Sequence, residues 1–177
     1  DYSPDGYAAI AALRRDIRTK LDSAVITNER DRIAADAMRE HLDTRLALFD
    51  AGEHLHLAGS IGSPAAGIRR VFDLMPRDTV DDFERIAKRL ALVPGSMESL
   101  ESTLDEGIRA HKTGALRQAE EAARQAKVYA GEDPSTVGFF TTLVDVFDAS
   151  GIDDASLRRV LEQGASAATA AFAGFAR

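Results

Sequence analysis

Apolar residues return at three- and four-residue steps along almost the whole chain, the spacing of one face of an α-helix. Tyr7, Ile10, Leu13, Ile17 and Leu21 predict a first helix from about Pro4 to Ala24. Pro4 suits a first turn, where its missing N–H would have had no partner. Asn28 opens a second helix, whose stripe of Ile33, Ala37, Met38, Leu42, Leu46 and Phe49 closes near Gly52. After a break, Ser63-Pro64 starts a third, with serine as N-cap and proline at the first helical position. Ile68, Val71, Phe72 and Met75 form its buried face and Pro76 stops it. Thr79 caps a fourth, with Asp82 three residues on in a capping-box place, and Phe83, Ile86, Ala87 and Leu90 as its stripe.

Pro94-Gly95 reads as punctuation. Met97, Leu100, Leu104 and Ile108 define a fifth helix ending near Gly114. Leu116, Ala119, Ala122, Ala123 and Ala126 define a sixth ending at Gly131, its alanine face allowing close approach. Phe140, Leu143, Val144 and Phe147 form a seventh, ending at Gly151. Leu157, Val160 and Leu161 begin an eighth that runs toward Arg177 without a stop signal, as a helix cut in its middle would. No segment reads as a strand pair; Ser60-Ile61 and its flanks are too short. The expectation is an all-α array of seven or eight helices with short connections favouring antiparallel neighbours. It is expected as a single helical lobe over residues 1–177, the N-terminal portion of a larger protein.

Composition narrows the chemistry. Cysteine is absent from the 177 residues, which removes disulfides, thiolate metal sites and cysteine nucleophiles, and fits a reducing compartment. The formal charge of −7 argues against nucleic acid and against anionic membranes as partners. No run of eighteen apolar residues spans a bilayer, and no signal peptide is visible. A cytoplasmic location is the expectation, although a chain opening on Asp1 leaves room for a removed leader.

Helix periodicity does not explain the run from Glu53 to Pro64. Glu53-His54-Leu55-His56 is the one local cluster of metal-type ligands, since imidazole and carboxylate both bind zinc. His41 lies one helix back and His111 is distant, so no third ligand is near. The plain reading is a pair of loop histidines at a helix end, where imidazolium interacts well with the helix dipole. Gly59-Ser60-Ile61-Gly62-Ser63 lacks the lysine and spacing of a phosphate cradle and reads as a turn. His-Glu-x-x-His and Gly-x-Ser-x-Gly are both absent. Glu120-Glu121 and Asp81-Asp82 point about 100° apart on a helix and cannot converge. Arg14-Arg15, Arg69-Arg70 and Arg158-Arg159 read as surface ion-pair partners, with Arg69 or Arg70 the candidate for gripping a substrate carboxylate. No residue is assigned as catalytic, cofactor-binding or metal-ligating.

Ala51-Gly52-Glu53-His54-Leu55, Ser63-Pro64, Arg70-Val71-Phe72-Asp73-Leu74-Met75-Pro76, Asp78-Thr79 and Ala87-x-Arg89-Leu90 together resemble a bacterial family catalogued as domain of unknown function 885. Glu106-Gly107, Ala115-Leu116-Arg117-Gln118 and Ala126 fit its next helices. Members are regarded as zinc-dependent metallopeptidase-like proteins. In that family the metal motif is a His-Glu pair followed shortly by Pro-Gly-His, in the C-terminal half, and no such segment exists in this sequence. The resemblance therefore implies a helical N-terminal part without the metal site. Its partner would be the C-terminal catalytic portion of the same polypeptide, which would hold any zinc, with a peptide-like substrate in a cleft that this lobe helps to wall. That arrangement predicts an apolar face left uncovered, around the last helix. The competing expectation is a free-standing helical interaction module.

Overall fold

The computed structural model describes residues 1–59 and 62–177. Among them the secondary structure is entirely helical: α1 (Pro4–Asp22), α2 (Glu29–Ala51), α3 (Pro64–Arg70), α4 (Val80–Leu90), α5 (Val93–Arg109), α6 (Leu116–Ala130), α7 (Phe139–Ala149) and α8 (Ala155–Phe175), with 3₁₀ turns at Glu53–His56 and Val71–Leu74. The all-α expectation holds. The helix starts are where the capping chemistry puts them. Ser3, Asn28 and Ser63 each accept a backbone N–H from the first turn. Thr79 and Asp82 form the full reciprocal capping box, and that box, Thr79 first, holds the Asp82 carboxyl below the usual carboxylate range.

Three boundaries differ from the sequence reading. Helix α3 ends at Arg70, where the 3₁₀ turn Val71–Leu74 takes over, and Val71, expected on the buried face, is exposed. Pro94 and Gly95 stand inside the first turn of α5 instead of ahead of it, because a proline there forfeits no helical hydrogen bond. Helix α5 stops at Arg109, short of Gly114. His111 turns to φ 56°, and the Lys112 N–H returns to the Gly107 carbonyl at 2.8 Å.

The chain forms two compact units. The first comprises Asp1–His56 with Ser102–Thr113, the second Leu57–Glu101 with Gly114–Arg177, so the division falls within α5. In the first unit α1 and α2 form an antiparallel hairpin, its register marked by ion pairs Arg15–Asp50 (2.6 Å), Arg18–Asp43 (2.8 Å) and Arg39–Asp22 (3.4 Å). The seam is thin. Ala11, Ala35 and Leu42 are its fully buried members, flanked by half-buried Tyr7, Arg14, Arg18, Leu21, Arg39, Leu46 and Phe49. The expected stripes are buried only in part: Tyr7, Leu21, Leu42, Leu46 and Phe49 reach the seam, while Ile10, Leu13 and Ile17 on α1, and Ile33 and Met38 on α2, are exposed. Helical spacing located an apolar face, but the second helix meets α1 on the neighbouring face. Thr103 on the second half of α5 is completely buried and donates to the Tyr2 carbonyl at 2.6 Å.

The second unit has a conventional core. Helix α8 buries Leu157, Leu161, Ala165, Ala168 and Phe172 and packs against α4, α6 and α7. Phenylalanines join the layers edge to face: Phe72–Phe140 at 5.8 Å, Phe83–Phe147 at 5.0 Å and Tyr129–Phe172 at 5.9 Å, geometries that aromatic quadrupoles favour. At Gly164 a Cβ would lie 2.8 Å from the Leu90 Cβ, so glycine is what lets α8 come this close to α4. The uncovered apolar face expected around the last helix is not there. The large exposed apolar side chain on α8 is Val160 alone, because α4, α6 and α7 between them cover its stripe.

Candidate functional site at the end of α2

Gly52 ends α2 in the left-handed conformation, φ 82°, which a side chain rarely adopts. The 3₁₀ turn Glu53–His56 follows at once and buries Leu55. Two contacts hold this corner against the end of α5. A Cβ at Gly107 would run into the Leu55 carbonyl oxygen, so the backbones touch only because residue 107 is glycine. The Lys112 ammonium donates to the Ala51 carbonyl at 2.6 Å, satisfying an acceptor that helix geometry leaves open at a C-terminus.

The turn sends its two histidines to different places. His54 enters a slot between aromatic rings, stacked on Phe49 (centroids 4.6 Å, planes 13° apart) and tilted against Tyr7 (5.0 Å). Its Nδ1 is buried and has no hydrogen-bond partner. Burial pushes the imidazole below its ordinary pKa. Glu106 pulls it back up, while Lys112 and His56 add to the lowering. His56 keeps its Nε2 at 3.5 Å from a Glu53 carboxylate oxygen. His41 and His111 are exposed.

Glu53, His54 and His56 thus do not converge on a common point. Among the described residues no three His, Cys, Asp or Glu side chains are grouped to hold a metal ion, so the residues present do not fit a zinc site. The histidines do belong to a helix-end turn, but His54 departs from the imidazolium expected there: burial favours its neutral form, in an aromatic slot that the sequence did not signal. Tyr7 lies in another helix, and Lys112 is 61 residues from its acceptor. The glycine-rich run at 59–63 includes Ser60 and Ile61, which lie outside the described residues.

One member of each charged pair is accounted for locally, Arg15 of Arg14-Arg15 by Asp50. Asp82 serves the capping box, and Glu121 pairs with Arg124 at 2.6 Å. Arg158 grips Asp148 through two bonds of 2.8 and 2.9 Å. Arg69 bonds Asp73 at 2.5 Å and lies over the Phe139 ring at 4.0 Å and the Tyr129 ring at 5.4 Å. Its guanidinium therefore staples α3 to α6 and α7 and is not presented to a substrate; Arg70 is exposed. No helix among the described residues is long and apolar enough to cross a membrane.

Fold and site together define an all-helical protein built around packed seams, with a closed helix-end corner in place of a metal cluster. The chain belongs to the family described as "Bacterial protein of unknown function (DUF885)", whose sequence model matches residues 1–177. No curated protein matches it.

Proposed function

We propose that these residues form the helical N-terminal lobe of a zinc-dependent, metallopeptidase-like hydrolase, walling a cleft for a peptide-like substrate while another portion of the polypeptide holds the metal. The observation that carries the reading is membership of the family across residues 1–177. The lobe's part is positional. Helix ends closed by caps, the Arg69 staple and the Gly107–Leu55 backbone contact make rigid elements of the kind a substrate wall requires.

The test is a polypeptide extended past Arg177 to include the downstream His-Glu and Pro-Gly-His segments, assayed for bound zinc and for hydrolysis of a peptide library. Stoichiometric zinc and peptide cleavage are expected, with neither in residues 1–177 alone. A metal-free, inactive extended protein overturns the reading.

A further inference from the structure

The two sides of the α1–α2 hairpin differ in kind. One side is the ion-pair ladder, where Arg15, Arg18 and Arg39 are matched to Asp50, Asp43 and Asp22, with Asp36 also bonded to Arg39. At 100° per residue, Ile10, Leu13 and Ile17 stand on the opposite side of α1, and Met38 and Leu48 on the opposite side of α2. These five side chains remain between 36% (Ile17) and 58% (Leu13) exposed. Seen along the helices they make an apolar strip, interrupted on α2 by His41 and Arg45 between Met38 and Leu48, that nothing in the hairpin covers.

The charge beside the strip is mainly basic: Asp16, three residues after Leu13 on α1, is taken up by Lys20 at 2.7 Å. Arg14 on α1 and Arg45 on α2 lie along it, with His41 beside Arg45. Among the described residues neither arginine has an ion-pair partner, whereas Arg15, Arg18, Arg32 and Arg39 all do. The acids of the hairpin's middle turns, Asp22, Asp36, Asp43 and Asp50, belong to the ladder side. An apolar strip edged by unmatched guanidinium groups is therefore set in a chain whose net charge is −7.

We infer that this side of the hairpin is a docking platform for a partner helix whose apolar stripe is flanked by carboxylates. Two antiparallel helices present a groove into which a third helix packs ridge into groove, its apolar positions spaced by three and four residues. The flanking Asp or Glu side chains would meet Arg14 and Arg45, which suit carboxylates through their planar donor fork. A second copy of this chain is the poorer occupant, because pairing this face with itself brings Arg14 and Arg45 against basic groups and leaves all of them unmatched. Anionic membrane is disfavoured by the chain's acidic balance and by a strip that carries no aromatic anchor. The inference does not depend on the hydrolase reading, and its test involves neither metal nor catalysis.

The test uses the 177-residue chain and two labelled helical peptides of equal length. Both carry leucine at alternating three- and four-residue steps; one has glutamate on the flanks and the other lysine. Fluorescence anisotropy at low salt is expected to show the glutamate peptide binding at least tenfold more tightly. Arg14→Glu with Arg45→Glu should reverse that preference, and Leu13→Gln with Ile17→Gln should weaken the glutamate peptide tenfold or more. All four positions are partly or fully exposed, so helicity by circular dichroism should be unchanged and the variants remain folded. Equal binding of both peptides, binding of neither, or indifference to these substitutions overturns the proposal. So does a dimer in sedimentation that Leu13→Gln dissociates, which would make a second copy the occupant. Co-sedimentation with phosphatidylserine vesicles that Arg14→Glu abolishes would do the same in favour of a membrane.

Discussion

Helices α1 and α8 carry the same kind of apolar repeat and meet different fates. On α8 the repeat is buried, because α4, α6 and α7 surround it. On α1 its middle, Ile10, Leu13 and Ile17, is left in solvent, because the helix has one substantial neighbour, α2, and meets it through Ala11, half-buried Tyr7 and Leu21, and the stems of Arg14 and Arg18. The spacing of apolar residues says which face of a helix would gain from burial; the number of partners decides whether that face is buried. Helices in the second unit are thus held by packing, while the hairpin is held by a thin seam, ion pairs and the closed corner at its base.

The sharpest way to break this contrast is to truncate matched apolar residues. Phe140→Ala should destabilise by about 3–5 kcal/mol in urea unfolding, the usual cost of removing a buried ring. Leu13→Ala on α1 should stay within about 0.5 kcal/mol, as exposed sites do. A cost for Leu13→Ala approaching that of Phe140→Ala would abolish the distinction. A next test compares close backbone approaches in the two units. Gly107→Ala should cost about 1–3 kcal/mol in spite of alanine's better helix propensity, because its methyl collides with the Leu55 carbonyl. Gly164→Ala should cost a similar amount, since its methyl meets the Cβ of fully buried Leu90, which can move only with the α4 backbone. If Gly107→Ala stabilises instead, the corner is looser than the contact implies.

Smaller effects refine the picture. Thr79→Ala removes one half of the capping box on α4 and should cost about 1 kcal/mol by thermal denaturation. At the hairpin's base, burial lowers the folded pKa of His54 below the ordinary 6.5. The unfolded chain therefore binds a proton first as pH falls, and the stability held by the neutral, stacked ring is complete above that value. It is lost as pH drops from 6.5 to the lowered folded value. His54→Phe keeps the stacking and should flatten the pH dependence in that window, leaving stability at alkaline pH nearly unchanged; a variant that titrates like the wild type would show that other groups are responsible. The smallest expected effect is in zinc calorimetry. Wild type and His54→Ala/His56→Ala should both give no saturable heat, and a wild-type isotherm that the double variant loses would establish a site on the turn.

The capped starts of α1 to α4, the glycine end of α2 and the buried stripes of α4 and α7 were legible in the residues themselves, because caps and short buried helices depend on local chemistry. The seam of the hairpin was legible only in part, through Tyr7, Leu21, Leu42, Leu46 and Phe49. Its buried members include alanines and half-buried arginines, which carry no apolar signal, while the conspicuous isoleucines face outward. The candidate site was legible only as a cluster of types. Whether Glu53, His54 and His56 converge depends on Tyr7, Phe49 and Gly107, which reach the turn through tertiary packing. The family, by contrast, was readable from helix boundaries and joints, the features that fix local geometry.

The first unit is interrupted in sequence: it is completed by Ser102–Thr113, after all of Leu57–Glu101 has passed. At a synthesis rate of about 5–20 residues per second, α2 and its 3₁₀ turn emerge seconds before the residues that lock them. During that interval Leu55 has no Gly107 to pack on and the Ala51 carbonyl has no ammonium, so the corner at the hairpin's base stays open. A chain arrested before Ser102 should accordingly be the form most readily captured by chaperones, and release from Thr113 onward should end that exposure at the hairpin's base.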